Sequence, residues 1–153
     1  MAFIGTLCYI LNKNKILLKK ATRGISKNKW NGSGGKIEGN ETPEKNIIRE
    51  TFEETGLTIK NLLYHGQMNF FLNGKNELSF AVHLFSTKNF TGNVKSTEEG
   101  EVKWFDIDNI PFDDMWADDR YWMPLMLRGK KFDADFYFDN NNAKIIKHEF
   151  RMK

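Results

Sequence analysis

The feature that most constrains the fold is a short segment, residues 42–56, in which helix start and stop signals enclose a cluster of acidic side chains. The pair Thr42-Pro43 favours a helix N-terminus, because threonine caps the first turn and proline fits its first position. At the other end, Gly56 can adopt the left-handed conformation that commonly terminates a helix. We therefore predict a helix that runs from this start to about Thr55.

Three glutamates on the predicted helix, Glu50, Glu53 and Glu54, stand at positions i, i+3 and i+4. Residues at this spacing share one helix face, so their like charges repel one another unless something positive offsets them. Arg49 can hold a neighbouring carboxylate with its planar guanidinium. A hard divalent cation, above all Mg²⁺, also prefers such oxygen ligands and is usually shared with substrate phosphates. For the glutamates alone, a solvated acidic face is the more frequent explanation.

The spacing of charged and glycine residues around the helix is more specific than the glutamates alone. These residues are Gly35, Glu41, Arg49-Glu50, Glu53-Glu54 and Gly56. The pattern is identified as the Nudix box, the signature of the Nudix hydrolase superfamily. Its one departure is Thr51, which stands where the family usually has an aliphatic residue. We expect Thr51 to face the packed side of the helix, so the departure concerns packing more than chemistry.

The resemblance implies a fold and a reaction. The fold is α+β, a mixed β-sheet sandwiched between α-helices (α/β/α), and we expect a single Nudix hydrolase domain over residues 1–153. The reaction is the hydrolysis of a nucleoside diphosphate linked to another group, with Mg²⁺ as cofactor and Mn²⁺ as the alternative. Glu50, Glu53 and Glu54 match the family's metal ligands and catalytic carboxylates, and Arg49 matches the arginine that orients them.

The catalytic base and the remaining metal ligands are less sharply defined. Crowded carboxylates raise one another's pKa, which favours the use of one as a base, and the choice between Glu53 and Glu54 stays open. A backbone carbonyl of Gly34 or Gly35 is a further candidate ligand, because glycine lets the backbone approach closely. A distant glutamate often assists in the family, and Glu99 is the best match; a solvated loop is an equal alternative.

A second resemblance concerns residues outside the box. Residues 30–36 and the Trp-x-Asp-Asp-x-Tyr-Trp motif within residues 113–122 are similar to the oxidised purine nucleoside triphosphatase family of animals, and the likeness spans nearly the whole chain. It implies conversion of a substrate such as 8-oxo-dGTP to the monophosphate and pyrophosphate, in sanitation of the nucleotide pool. One departure is Ala21, which aligns with a pocket lysine of that family. Lys20 or Arg23 is a possible replacement.

The candidate base-binding residues have side chains that suit a purine. A purine needs an apolar or aromatic surface and a few polar groups at its edge, and Trp116 with Phe70 opposite can supply the surface. Asn31 offers both a donor and an acceptor. Asp118 and Asp119 are adjacent, and in an apolar pocket one protonated and one ionised carboxyl would offer a donor and an acceptor. The resemblance implies that the matching residues contact the base.

The same residues have a plainer explanation. Aspartate is well suited to cap a helix N-terminus, so Asp118-Asp119 can simply cap the helix that follows, and Trp116 can be a core residue. Without the resemblance we favour the cap. With it we favour base recognition, with Asp118 acting as a cap as well.

Composition excludes several classes of protein. The net charge is +3 and there is no block of lysine and arginine, so we expect a nucleoside triphosphate as partner and no nucleic-acid polymer. The single cysteine, Cys8, cannot form an internal disulfide and its apolar neighbours predict a buried thiol in a reducing compartment. No apolar run reaches the roughly 20 residues of a membrane span. We therefore expect a cytoplasmic protein; its oligomeric state is open, with a monomer favoured.

Strand-like segments surround the box. They are residues 3–11, 16–20, 62–72, 77–87, 101–107, 132–138 and 143–150. We expect the first two to form a hairpin, and Asn73-Gly74 is a strong hairpin signal between the next two. Residues 21–33 are predicted to be a loop, and a second helix is predicted to begin at Asp118-Asp119.

Two alternatives to the oxidised-purine hypothesis remain at this stage. One is a Nudix pyrophosphohydrolase of broader specificity for (d)NTPs, ADP-ribose or dinucleoside polyphosphates, because the box itself does not select the substrate. The other is a Nudix sensor that binds a nucleotide without cleaving it. The intact glutamates of the box argue against the sensor.

Overall fold

Ten strands and two α-helices lie within residues 2–96 and 100–153, the part of the chain that the computed structural model describes. The strands are β1 (Phe3–Asn12), β2 (Lys15–Ala21), β3 (Trp30–Asn31), β4 (Leu57–Lys60), β5 (Leu63–Phe71), β6 (Phe80–Thr87), β7 (Asn89–Gly92), β8 (Gly100–Asp106), β9 (Phe132–Phe138) and β10 (Ile145–Met152). The α-helices are α1 (Pro43–Thr55) and α2 (Asp119–Leu127). Neither helix is long and apolar enough to cross a membrane.

The predicted first helix forms with both of its end signals. The Thr42 hydroxyl accepts a hydrogen bond from the Lys45 amide at 3.2 Å, and Gly56 ends the helix in the left-handed region with φ 84°. Thr51 is fully buried, as expected for the packed side of α1. Its hydroxyl has no hydrogen-bond partner within the described residues, so this position carries an uncompensated polar group.

Eight of the described strands form one mixed sheet in the order β10-β9-β5-β6-β1-β2-β3, with β8 also paired to β2. The β1–β6 and β5–β9 pairs are parallel, and the β1–β2, β2–β8, β5–β6 and β9–β10 pairs are antiparallel. β4 and β7 form a separate antiparallel ribbon. The predicted mixed sheet is therefore confirmed.

The predicted hairpin of the first two strands forms, but it is short. β1 and β2 pair only beside their turn, at Leu11–Ile16 and Asn12–Lys15, and the length of β2 pairs with β8 instead. The glycine-rich segment occupies the rest of this edge of β1, through backbone hydrogen bonds from Cys8 to Ser33 and from Thr6 to Gly35. The predicted loop at residues 21–33 also contains β3, which pairs with β2.

Alternate residues of β1 face two separate hydrophobic clusters. Tyr9 and Leu11 belong to a cluster that includes Trp122, Met123 and Met126 of α2. Cys8 and Ile10 belong to a second cluster that includes Ile47 of α1. The two helices thus cover opposite faces of the sheet, which confirms the predicted α/β/α sandwich. The predicted burial of Cys8 is also observed, and burial raises the pKa of its thiol.

The second helix corrects one hypothesis about Asp118. This residue directly precedes α2, but its side chain makes no capping hydrogen bond within the described part of the chain. Instead its Oδ2 accepts a hydrogen bond from Trp122 Nε1, one helical turn later, at 2.7 Å. The side-chain cap expected for Asp118 is therefore wrong, because the carboxylate is turned toward the buried indole.

Candidate active site

Arg49 of α1 holds three carboxylates at once. Its Nε lies 2.8 Å from Glu41 Oε2, and its Nη1 lies 3.0 Å from Glu50 Oε1 and 2.9 Å from Glu53 Oε1. The hydrogen bonds from Arg49, together with one from Asn46, lower the pKa of Glu41 to about 2. The guanidinium thus joins the loop before α1 to two glutamates of the box.

Glu54 differs from Glu50 and Glu53, the other two candidate metal ligands of α1, because it is buried. Its side chain is 4% exposed and accepts a hydrogen bond from Lys19 Nζ at 2.9 Å, while the Gly34 amide donates to the same oxygen at 3.3 Å. Burial raises the pKa of Glu54 to about 8, the ammonium of Lys19 opposes that shift, and the carboxylate of Glu50 adds to it. A carboxyl with this pKa holds a proton at neutral pH unless a nearby cation displaces it.

The glycines before α1 allow two close approaches. A Cβ atom on Gly35 would lie 2.6 Å from Glu50 Oε2, and one on Gly34 would lie 1.9 Å from the carbonyl oxygen of Thr6. A larger residue at Gly34 would therefore push this turn away from β1, and one at Gly35 would displace the Glu50 carboxylate. The Gly35 carbonyl accepts a hydrogen bond from the Thr6 amide at 2.9 Å, so it is turned toward β1, and Gly34 is the better candidate for a carbonyl ligand.

The predicted metal ligands are only partly brought together. Glu50 and Glu54 adjoin the Gly34-Gly35 turn, whereas Glu53 is 46% exposed and bound to Arg49. Among the residues described here, no group of three Asp, Glu, His or Cys side chains is arranged to hold an ion by itself. Glu99 lies outside the described residues. The donors present are all oxygens, which fits a hard cation that completes its shell with water and substrate phosphate.

A cavity of about 560 Å³ adjoins this carboxylate cluster. One part of its wall, the glycine end, consists of Lys19, Gly34 and Gly35. Another part, the aspartate end, consists of the predicted base-binding residues Asn31, Phe70, Trp116, Asp118 and Asp119. The volume is in the range of pockets that enclose a small ligand. The structure therefore places the candidate base-binding residues in one cavity with Lys19, Gly34 and Gly35, which adjoin Glu50 and Glu54.

Asp118 and Asp119 form a buried carboxyl pair. Each residue is 3% exposed. Burial raises the pKa of Asp118 to about 6, and burial together with the charge of Asp118 raises the pKa of Asp119 well above its ordinary range. These shifts favour one protonated and one ionised carboxyl near neutral pH. Asp119 Oδ2 is buried and has no hydrogen-bond partner within the described residues, so a ligand group in the cavity would complete it.

Aromatic side chains flank the aspartate end. Trp116 donates from Nε1 to Ser26 Oγ at 2.9 Å and meets Phe138 edge-on, with ring centroids 5.5 Å apart. Phe70 is buried and stacks on Phe80, with ring centroids 4.8 Å apart. Both rings are thus held by their own neighbours, and both line the cavity.

Asn31 is held in one orientation at the cavity wall. Its Oδ1 accepts hydrogen bonds from Tyr9 Oη and from the Gly32 amide, both at 2.9 Å. The NH₂ group is therefore the part of this side chain that remains for a ligand.

The family model of the NUDIX domain matches residues 1–126. This chain belongs to the Nudix hydrolase family. Nudix hydrolases depend on divalent metal ions, which agrees with the all-oxygen donor set beside the Gly34-Gly35 turn. The family assignment confirms the resemblance that the box indicated.

Relatives of this Nudix hydrolase cover nearly its whole length. The oxidized purine nucleoside triphosphate hydrolase of Danio rerio is 41% identical over 144 residues, which is 94% of this chain and 91% of the relative. The Mus musculus protein of the same name is 39% identical over 146 residues, covering 95% and 92%. The crystal structure of the mutator MutT protein from Bacillus halodurans matches with a TM-score of 0.85 and 22% identity, covering 97% of both chains. This likeness confirms the predicted Nudix fold.

Sequence reasoning missed five residues of this Nudix site. They are Tyr9, Lys19, Ser26, Glu41 and Trp122. Two of them had a signal, because Glu41 occupies a fixed position in the box and Trp122 ends the Trp-x-Asp-Asp-x-Tyr-Trp motif. Tyr9, Lys19 and Ser26 contact site residues from distant parts of the chain, and no local pattern marks them.

The pocket lysine of the animal family has no direct substitute at Ala21. Ala21 lines the cavity, whereas Lys20 points its ammonium at the ring of Trp30, 5.8 Å from the centroid, and Arg23 is exposed. These two possible replacements are therefore not in the cavity wall. Lys29 is a cation beside the aspartate end, with Nζ 5.6 Å from the ring centroid of Trp116 and a charge that opposes the raised pKa of Asp119.

Proposed function

We propose that this Nudix hydrolase converts oxidised purine nucleoside triphosphates, such as 8-oxo-dGTP, to the monophosphate and pyrophosphate, and so cleans the nucleotide pool. The observation that carries the proposal is the continuous cavity, whose aspartate end suits a purine and whose glycine end adjoins the carboxylates of α1. The names of the two relatives point to the same substrate class.

At the glycine end, the chain's own residues position the triphosphate and move a proton. Glu50, Glu54 and the Gly34 carbonyl would hold Mg²⁺, with Mn²⁺ as the alternative, and Glu53 would join them on leaving Arg49. Bound there, the cation neutralises phosphate charge and lowers the pKa of water. Arg49 keeps the carboxylates in place.

We assign proton transfer to Glu54 rather than Glu53. Glu54 is buried, and its partners Lys19 and Gly34 both line the cavity. Glu53, by contrast, is half exposed and paired with Arg49.

At the aspartate end, the chain selects the base. Trp116 and Phe70 supply the aromatic surface, and Asn31, Asp118 and Asp119 face the edge of the purine. A single proton shared by the two aspartates offers one donor and one acceptor, and its exchange between them would match more than one oxidised purine.

A substrate panel tests the proposal. With Mg²⁺ present, kcat/KM is measured for 8-oxo-dGTP, 2-hydroxy-dATP, dGTP and ADP-ribose, with pyrophosphate release recorded for the triphosphates. The oxidised purines should be preferred over dGTP by about tenfold or more, since one well-placed polar contact is worth that much. A preference for ADP-ribose would contradict the choice of base and leave the family assignment intact. That result would favour a Nudix pyrophosphohydrolase of broader substrate specificity, which the loss of the pocket lysine at Ala21 allows.

A further inference from the structure

Tyr9 lies behind the cavity wall. Its hydroxyl contacts the side-chain amide of Asn31, a candidate base-binding residue, at 2.9 Å. We propose that Tyr9 is a positioning residue that holds the NH₂ of Asn31 toward the bound base and thereby favours purines with an acceptor at the facing atom. The inference deepens the proposed function and rests on it.

The hydrogen bonds at Asn31 determine which way its amide points. A peptide N–H can only donate, so the atom 2.9 Å from the Gly32 amide must be the carbonyl oxygen of the side chain. The Tyr9 hydroxyl reaches the same oxygen and therefore donates to it as well. Both donors are on Oδ1, and rotation of the amide would place NH₂ against the Gly32 N–H, which can only donate, and would require the Tyr9 hydroxyl to accept instead of donate. The ligand consequently meets a donor at Asn31.

Tyr9 is locked in this position by its surroundings. The residue is fully buried, and a Cβ on Gly32 would lie only 2.9 Å from Tyr9 Cζ, so the ring packs directly against the backbone next to Asn31. Its ring also meets Trp122 at 5.5 Å between centroids. Burial and the charges of the two aspartates raise the pKa of Tyr9. The hydroxyl therefore stays protonated and keeps donating.

The same pair of rings positions two base-facing groups. Tyr9 holds Asn31, and Trp122 holds Asp118 Oδ2 at 2.7 Å. Tyr9 is absent from the cavity lining, so it acts through Asn31 and does not touch the ligand.

This arrangement has a consequence for specificity. Guanine-type bases carry a 6-oxo acceptor and adenine-type bases carry a 6-amino donor, so a fixed donor in the wall distinguishes them when it faces position 6 of the base. Without the Tyr9 hydroxyl, the Gly32 amide alone holds Oδ1, so the Asn31 amide is less firmly fixed. The site would then accept both classes more evenly.

The test is the Tyr9→Phe variant, with kcat and KM measured on dGTP, dATP, 8-oxo-dGTP and 2-hydroxy-dATP. The expected result is a nearly unchanged kcat, with the 6-oxo to 6-amino ratio of kcat/KM reduced about fivefold, the value of one hydrogen bond. The matched control is Tyr64→Phe, which removes a hydroxyl bonded to His83 Nδ1 at 2.8 Å, outside the cavity lining. This control should leave the ratio unchanged.

Three outcomes would overturn the inference. They are an unchanged ratio in Tyr9→Phe, an equal loss on all four nucleotides, or a further change of the ratio when Tyr9→Phe is added to Asn31→Ala. Thermal melting shows whether each variant remains folded. Failure of the proposed function can be distinguished from failure of this inference. If the proposed function is wrong, the wild type shows no preference for oxidised bases, and the ratio of kcat/KM for dGTP and dATP still tests the effect of Tyr9→Phe. A wild type inactive on every purine would overturn both.

Discussion

The two ends of the cavity differ in where their residues come from and in how their charges are satisfied. Near the glycine end, Arg49 pairs with Glu50 and Glu53 on its own helix. At the aspartate end, the polar groups come from β3 and α2, and Asp119 Oδ2 has no hydrogen-bond partner within the described residues. The ion pairs of Arg49 thus depend largely on local sequence, whereas Asp119 Oδ2 would find its hydrogen-bond partner in a ligand.

This difference predicts two classes of variant. A change at the carboxylates of α1 should affect every substrate alike, because every triphosphate presents the same phosphates. A change at the aspartate end should depend on the base. The following experiments test that division, beginning with the largest expected effect.

The largest effect is expected for Glu54→Gln, which removes the proposed proton acceptor. Turnover should fall by about 10²–10⁴-fold, equally for 8-oxo-dGTP and dGTP, as measured by pyrophosphate release. Glu53→Gln should also lower turnover by orders of magnitude with the fold retained. The matched control is Glu44→Gln on the exposed first turn of α1. Near-normal turnover in either site variant would remove that glutamate from the mechanism.

Asp119→Asn should lower kcat/KM for 8-oxo-dGTP by about 100-fold, because the amide cannot reproduce the shared proton of the pair. Metal affinity, measured by Mn²⁺ titration, should not change. The control is Asp114→Asn, an exposed aspartate of the same segment. An equal loss on pyrimidine and purine triphosphates would contradict base recognition and point to a structural contribution of Asp119.

The pH dependence of KM should distinguish the two ends further. Since the pKa of Asp118 is raised to about 6 and that of Asp119 lies well above its usual range, the singly protonated pair exists above about pH 6. KM for 8-oxo-dGTP should therefore rise severalfold as the pH falls below 6, and this inflection should be absent in Asp118→Asn. If the wild type and Asp118→Asn show the same inflection, a group other than Asp118 causes it.

The stability of the pair has the opposite pH dependence. Both pKa values are raised on folding, so the pair's contribution to stability is present below the unfolded pKa, about 4, and is lost as the pH rises through the folded values. The unfolding free energy of Asp118→Asn relative to wild type should accordingly increase between pH 4 and 7 in urea titrations.

The smallest effect is expected for Thr51→Val on the packed side of α1. The hydroxyl of Thr51 is buried without a partner within the described residues, so its removal should stabilise the protein by about 1 kcal/mol. Tm should rise by about 2–4 °C for a domain of this size, with kcat unchanged. Thr51→Ser, which keeps the hydroxyl and loses a methyl group, is the control and should be less stable than wild type.

The parts of the structure that were predictable are those with local causes. α1 formed between Thr42 and Gly56 because capping and left-handed termination involve only neighbouring residues. The β9 boundaries, Phe132–Phe138, matched the prediction because alternation along a strand is also local. The pairing of β2 with β8 was missed, since the choice of strand partner depends on which edges other segments occupy.

For the active site, the sequence alone determined the reacting carboxylates, the family and the residue types that suit a purine. Only the tertiary structure decided that the base-binding candidates line one cavity with Lys19 and the Gly34-Gly35 turn, that Asp118 turns to Trp122 instead of capping α2, and that Lys19 meets Glu54. It also placed Tyr9 behind Asn31. The physical reason is range: helix spacing and capping act over a few residues, whereas the contacts of Lys19 with Glu54 and of Tyr9 with Asn31 join residues that only packing brings together.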